Sequence, residues 1–410
     1  MTRTVFGGGR VFDGTGAPLA EADVAVENGR FVDVGPGLDG DERIDVDGGT
    51  LLPGMFDCHV HLMFSGLDLL KDLMTPFSLR FYEAGRNLRR TLDVGITTVR
   101  DAGGADLGVK SAVEQRLIEG PRMQISLVMV SQTGGHGDSW MPCGSEIPGF
   151  FPPYPGMPSG LVDGPEEMRR KVRELVRAGA DVIKVATTGG VLSPSDDPRH
   201  AHFRPDELEM LVSEADAADL WVMAHAQGTP GIKAAIRAGI RSIDHGVYLD
   251  DEAIEMMLER GTFLVPTLVA PTGVVEAAGA GMSIPEAMVQ KARDVIDTHR
   301  DSFKRAVAAG VKVAMGTDSA VTPHGENLKE LALMGEGGME GGEVLVSTTS
   351  RGAELMGLQA ELGTIEPGKR ADLVVVDGDA LDLVNLPDHI SAVYKDGRLV
   401  SGGHGSGPSD

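Results

Sequence analysis

Residues 174–188 read ELVRAGADVIKVATT. The stretch opens as the end of an amphipathic helix, breaks at Gly179 and resumes as an apolar run. A glycine at such a break suits a left-handed helix C-cap, because it has no Cβ to clash there. The run behind it is apolar at nearly every position, which fits a parallel strand covered on both faces. The reading is therefore helix, cap, buried strand, with one cation, Lys184, set into the strand.

The same phrase returns along the chain. It appears in TLDVGITTVRD, AAIRAGIRSIDHG, MLERGTFLVPTL and AVAAGVKVAMGTD. Strands are expected at MFDCHVH, TTVRD, MQISLVMVS, DVIKVATT, LWVMAHA, IRSIDHG, TFLVPTL and VKVAMGTD. Eight strands over about 265 residues come close to the ~250 of a (β/α)8 barrel. A doubly wound open sheet is the rival, but no Gly-rich phosphate turn follows the first strand. The expected fold class is α/β, a (β/α)8 TIM barrel over residues 54–362. Both ends read differently. ADVAVENGRFVDVG alternates apolar and polar residues about Asn28-Gly29, and ISAVYKDGRLV does so about Asp396-Gly397. Both are hairpin signals. A small β-sandwich domain built from residues 1–53 and 363–402 is expected, with 403–410 as a flexible tail.

The chain has 410 residues, 41% hydrophobic and 24% charged, with a formal net charge of −24. That charge argues against nucleic acid or an anionic membrane as a partner. Two cysteines, Cys58 and Cys143, make no disulfide framework, so a reduced, cytoplasmic protein is expected. No run of eighteen apolar residues occurs. Expected partners are a small-molecule substrate and, optionally, further copies of the same chain.

Polar residues stand at the ends of the apolar strands. His59 and His61 lie two apart in the first strand, so they share a face. Lys184 is in the fourth strand, His225 in the fifth, His245 in the sixth and Asp318 in the eighth. Singly, each has a bland explanation: a rim hydrogen bond, an ion pair, a helix cap. Barrel active sites lie at the C-terminal strand ends. Four imidazoles and a carboxylate meeting there suit zinc or a related divalent ion. After the third strand comes GGHGDSWMPCGSEIPGFFPPYPGMPSG, a Gly- and Pro-rich loop carrying Trp140, Phe150, Phe151 and Tyr154 in a chain that is only 4% aromatic. These rings either pack the loop on the rim or form a lid over substrate.

The ordered set His-x-His, Lys, His, His and GTD resembles the amidohydrolase superfamily. LLPGMFDCHVHLM, VIKVATTGGV, SIDHGVYLDDEAIEMM, GTDSAVTPHGEN and LGTIEPGKRADLVVVDGD resemble its imidazolonepropionase-like and prolidase-like (Xaa-Pro dipeptidase-type) branch. The resemblance spans nearly the whole chain and implies the same barrel beside a two-terminus sandwich. It implies two divalent ions, expected to be zinc: one held by His59, His61 and Asp318, the other by His225 and His245, bridged by a carbamylated Lys184. The implied activity is amide hydrolysis, of dipeptides or N-acyl amino acids. In it a metal-generated hydroxide attacks a carbonyl polarised by the second metal, with Asp318 as base and then acid. His136 matches a position that contacts the substrate carbonyl. Where the prolidase-like branch carries a Tyr, two residues after the fifth-strand His, this chain has Gln227, which puts the exact substrate in question. Arg204 is a candidate anion contact, against a solvated loop residue. Rival functions are a cyclic amide, lactone or carbamate hydrolase with the same centre, and a barrel that binds without catalysis.

Overall fold

The structure, a computed structural model, describes residues 2–140, 154–193 and 196–403. Parallel strands Met55–Val60, Ile96–Asp101 and Arg122–Ile125 form one run, and Met129–Val130, Val182–Ala186, Trp221–Ala226, Ser242–His245 and Phe263–Val265 form another. The ring closes through residues 312–319. The Leu264 amide donates to Lys312 O at 2.8 Å, and the Ala314 amide to Leu264 O at 3.0 Å. On the other side the Cys58 amide donates to Met315 O at 2.9 Å, and the His61 amide to Ser319 O at 2.8 Å.

Two strands depart from their expected form. The third is split, because Leu127 takes a left-handed φ of 67°. Arg122–Ile125 thus pairs with the second strand and Met129–Val130 with the fourth. The eighth is an irregular extended segment with single bridges at Val313 and Ser319.

The helices obey local chemistry. Pro165–Ala178 starts with Pro at its first position, carries Glu166 and Glu167 in the first turn and Arg177 in the last, and ends on Gly179 at φ 95°. The order fits the missing proline N–H and the helix macrodipole. Met168, Val172 and Leu175 form its buried stripe against the barrel. Gly239, Gly261 and Gly310 cap later helices in the same left-handed state.

Both termini build the flanking β unit. One sheet runs Arg30–Gly35, Asp23–Glu27, Thr4–Gly7, Glu42–Asp45. The other joins Arg398–Gly402, Ile390–Lys395 and Leu373–Val376 to Thr50–Pro53, Arg10–Val11 and Ala20–Glu21. Phe6, Val24, Phe31, Leu51, Leu373 and Tyr394 fill the space between them. Asn28 and Gly29 have φ 52° and 74°, and Asp396 and Gly397 53° and 70°. Both hairpin turns thus take the positive φ that Asn-Gly and Asp-Gly favour. Among the described residues no helix is long and apolar enough to cross a membrane.

Candidate metal centre and active site

The barrel strands deliver their polar residues to one cavity of about 610 Å³, lined by His59, His61, Lys184, His225, His245 and Asp318. Nε2 of His61 and of His59 lie 3.2 and 3.4 Å from Asp318 Oδ1. The ring centroids of His59 and His61 are 5.4 Å apart, those of His59 and His245 5.1 Å, and those of His225 and His245 4.6 Å. Ligand atoms of His59, His245 and Asp318 all lie within 4.8 Å of one another, close enough to share one ion.

Each imidazole is oriented by its second nitrogen. His59 Nδ1 meets Asp244 Oδ2 at 2.8 Å, His61 Nδ1 meets Gly103 O at 2.8 Å, and His245 Nδ1 meets Thr267 Oγ1 at 2.7 Å. For His225 it is Nε2 that is engaged, 3.1 Å from Gly189 O. This is the supporting pattern of metal-binding histidines, in which an outer partner fixes tautomer and ring angle. The backbone is strained here too. His245, Thr267, Asp318 and Ala320 all line the cavity with φ of 75°, 53°, 60° and 127°. Such conformations cost on the order of 1–3 kcal/mol each and gather at functional sites.

Electrostatics follow from burial. Loss of water lowers the Lys184 ammonium; Asp244 and Asp318 oppose that, Arg100 adds to it, and the net shift is downward. Burial drives His225 and His245 well below the ordinary imidazole value, helped by their neighbouring imidazoles, so both are neutral and able to ligate. Burial works to raise Asp318, but His59 and His61 outweigh it, and the carboxyl lies well below its usual range.

Residues 50–400 match the amidohydrolase family. The chain belongs to the amidohydrolase family. It is 34% identical to ochratoxinase of Aspergillus niger, over 99% of this chain and 88% of that protein. A crystal structure of a Xaa-Pro dipeptidase with methionine bound in the active site superposes with a TM-score of 0.89, at 33% identity, covering 98% of this chain and all of that one (100%). A prolidase complexed with N-methylphosphonate-L-proline gives 0.88 at 35% identity, covering 97% and 99%. An amidohydrolase of this kind is a hydrolytic enzyme acting on amide bonds.

The six expected ligand residues of this amidohydrolase come together, and so do His136 and Gln227, which line the same cavity. The other three expected substrate residues do not line it. Arg204 is exposed and caps helix Pro205–Asp216. Trp140 is 49% exposed. Tyr154 packs its ring on Phe77 at 4.8 Å and on Phe81 at 6.0 Å, on the rim. Phe150, Phe151 and Cys143 lie outside the described residues.

Several partners went unread in the sequence. Asp244 is fully buried and receives His59 Nδ1, Lys184 Nζ at 3.2 Å, Arg100 Nη2 at 3.3 Å and Ser242 Oγ at 2.9 Å. Burial works to raise it, and the Lys184 and Arg100 cations with His59 more than reverse this, so it is held well below the usual carboxylate range. Asp57 accepts from the His59 and Thr317 amides, the Thr317 hydroxyl and Asn327 Nδ2, tying the first strand to the turn that carries Asp318. A signal existed for both: an acid inside an apolar strand demands buried partners. Asp57 also shares the i, i+2, i+4 face of His59 and His61.

Proposed function

We propose that this amidohydrolase is a binuclear metal-dependent enzyme that cleaves the amide bond of N-acyl amino acids or dipeptides. The carrying observation is the single cavity in which four imidazoles, Lys184 and Asp318 meet at the C-terminal strand ends. Fit to a cation rests on the donor set: imidazoles oriented by outer partners, His225 and His245 among them held neutral by burial, and an ionised carboxylate. His59, His61 and Asp318 would hold one ion and His225 and His245 the second, with His245 close enough to the ligand atoms of His59 and Asp318 to stand between the two. A lysine ammonium has three donors and no acceptor, so Lys184 cannot join them as a cation, and a carbamate on its Nζ would supply two oxygens and a negative charge. Bound ions, zinc in this reading, would supply Lewis acidity, bringing the pKa of a water from 15.7 to about 7 and polarising the substrate carbonyl. Asp318, ionised and within reach of both His59 and His61, takes the proton of the attacking water and returns it to the leaving amine. His136 and Gln227 orient the substrate.

The wall opposite these polar groups is aliphatic: Leu67, Val191, Val247, Val274, Val295 and Val321. Among the described lining residues Lys184 supplies the one ammonium, and there is no guanidinium. Among these described residues a substrate carboxylate therefore finds no guanidinium to pair with, and the aliphatic wall suits a bulky apolar group. Similarity over nearly the whole chain to ochratoxinase, to a Xaa-Pro dipeptidase and to a prolidase supports amide-bond cleavage and leaves both substrate classes in the screen. The test is a screen of N-acyl amino acids and dipeptides with metal analysis on the same sample. Two ions per chain at saturation and hydrolysis favouring apolar acyl groups are expected. One ion per chain removes the bridging role of Lys184. Lys184→Ala should lose activity and regain part of it with acetate and metal together; near-normal turnover without added acid refutes the bridge.

A further inference from the structure

His136 stands apart from the ligand set, and the loop around it is built in unusual detail. Its ring stacks on His225 with centroids 4.2 Å apart and planes 22° from parallel. Its Nδ1 lies 2.9 Å from Ser193 Oγ. Ser193 in turn donates to Asp196 Oδ1, and Asp196 Oδ2 is 3.6 Å from His136 Nδ1. Asp196 has a side chain only 3% exposed and forms an ion pair with Lys291 at 3.5 Å. Lys291 Nζ also donates to Gly190 O at 3.2 Å, to Ser193 O at 2.8 Å and to Asp196 O. One ammonium, sent in from helix Glu286–Ala309, thus fastens three carbonyls and one carboxylate of the loop. Gly190 supplies the fit. A Cβ there would lie 2.2 Å from His136 Cε1 and 2.6 Å from its Nε2, so only glycine leaves room for the ring.

Proton counting gives this arrangement a direction. A serine hydroxyl has one proton and two acceptor sites. The carboxylate of Asp196 is the stronger acceptor, being charged, so the Ser193 proton goes there. Ser193 Oγ can then only accept from His136, which must carry a proton on Nδ1. Neutral His136, whose residue lines the cavity, accordingly leaves its Nε2 unprotonated, an acceptor.

We propose that Ser193 and Asp196, with Lys291 and Gly190 as supports, are positioning residues that fix the ring plane and tautomer of His136 for the reacting amide. The idea rests on the amide-hydrolase reading for its consequence in turnover, but its structural content stands without it. None of these residues belongs to the ligand set proposed above, so on this reading their loss acts on substrate chemistry rather than on metal uptake.

Two measurements on the full chain test it. In metal-free protein with 15N-labelled histidine, at a pH where His136 is neutral, its signals are assigned by difference from His136→Gln. The Nδ1–H pattern is expected, and Ser193→Ala should shift it toward exchange between tautomers. An Nε2–H pattern in the parent protein, or no change in Ser193→Ala, overturns the proposal, whatever the substrate proves to be. In the second, steady-state kinetics are read on metal-loaded protein with the best substrate of the screen. Asp196→Asn and Gly190→Ala should lower kcat tenfold or more with KM within about threefold and metal content unchanged, and Asp196→Glu should retain part of the rate. Added to His136→Gln, Asp196→Asn should cost nothing more. Additive losses, or loss of metal in Asp196→Asn, would show that the array serves the fold rather than His136. Should every amide in the screen be inert, the tautomer measurement still decides.

Discussion

Replacing Asp244 with asparagine keeps the shape of a fully buried side chain and removes its charge. Two cations depend on that charge, Lys184 at 3.2 Å and Arg100 at 3.3 Å. At an effective dielectric of ~20 each attraction is worth roughly 5 kcal/mol before desolvation. The two cations then part ways. Lys184 can shed its proton, and burial already lowers its pKa. Arg100 cannot deprotonate, and is left charged and buried, held by Cys58 O, Ser242 Oγ and at most a neutral amide oxygen in place of the carboxylate. Breaking such a buried pair costs about 3–5 kcal/mol. Metal-free Asp244→Asn should therefore lose about that much unfolding free energy in urea at pH 7. Arg100→Met/Asp244→Asn should be more stable than Asp244→Asn alone, since the orphaned charge is gone. His59 also loses the carboxylate on Nδ1, so metal affinity should fall about 10–100-fold by calorimetric titration. A loss below about 1 kcal/mol with unchanged metal affinity would refute the reasoning, as would a double variant destabilised by the sum of the two single changes.

Further outcomes follow from the same structure. Glu330 is fully buried, accepts from the Leu268 and Val269 amides, and burial with the nearby charge of Asp57 raises its pKa to about 8. Its folded value lies above its unfolded one, so the native state holds the extra proton and stability falls as pH rises from about 4.5 to 8. Glu330→Gln should flatten that decline in urea titrations, and an unchanged slope would sink the assignment. A Cβ at Gly316 would lie 2.4 Å from Val265 Cγ1 and 3.1 Å from the His59 amide nitrogen. Gly316→Ala should therefore displace His59 and weaken metal binding at least tenfold, whereas parent-like affinity would show the site to be pliant. Val274, in the aliphatic wall, should tolerate Ala with a small KM rise. Val274→Asp, by burying a charge, should raise KM tenfold or more for an apolar acyl substrate while leaving the metal content alone. Equal KM values would place that group elsewhere.

What the chain discloses in one dimension depends on the distance over which each residue is constrained. Gly179, Gly239, Gly261 and Gly310 announce helix ends because their demand is local: a left-handed φ within one peptide of the cap. Lys184, His225 and His245 are legible because a polar group inside an apolar strand has to be answered somewhere. The answers are not legible. Arg100 and Asp244 are 144 residues apart, and His136 and Ser193 57 apart; only ring closure and one loop turn bring them together. Backbone strain is hidden in the same way. Leu127 at φ 67° splits the third strand, although nothing about leucine suggests it. Composition misleads in its own fashion. Trp140, Tyr154 and Arg204 were drawn toward substrate by residue type, yet type sets what a side chain can do and not where it points. Trp140 is half exposed, and Tyr154 packs on its own rim. The acids that meet the cavity residues from behind, Asp57, Asp244 and Asp196, are short side chains in ordinary company. Their role comes from having their charge answered by buried donors on other elements, a property of the closed barrel that no single stretch of sequence contains.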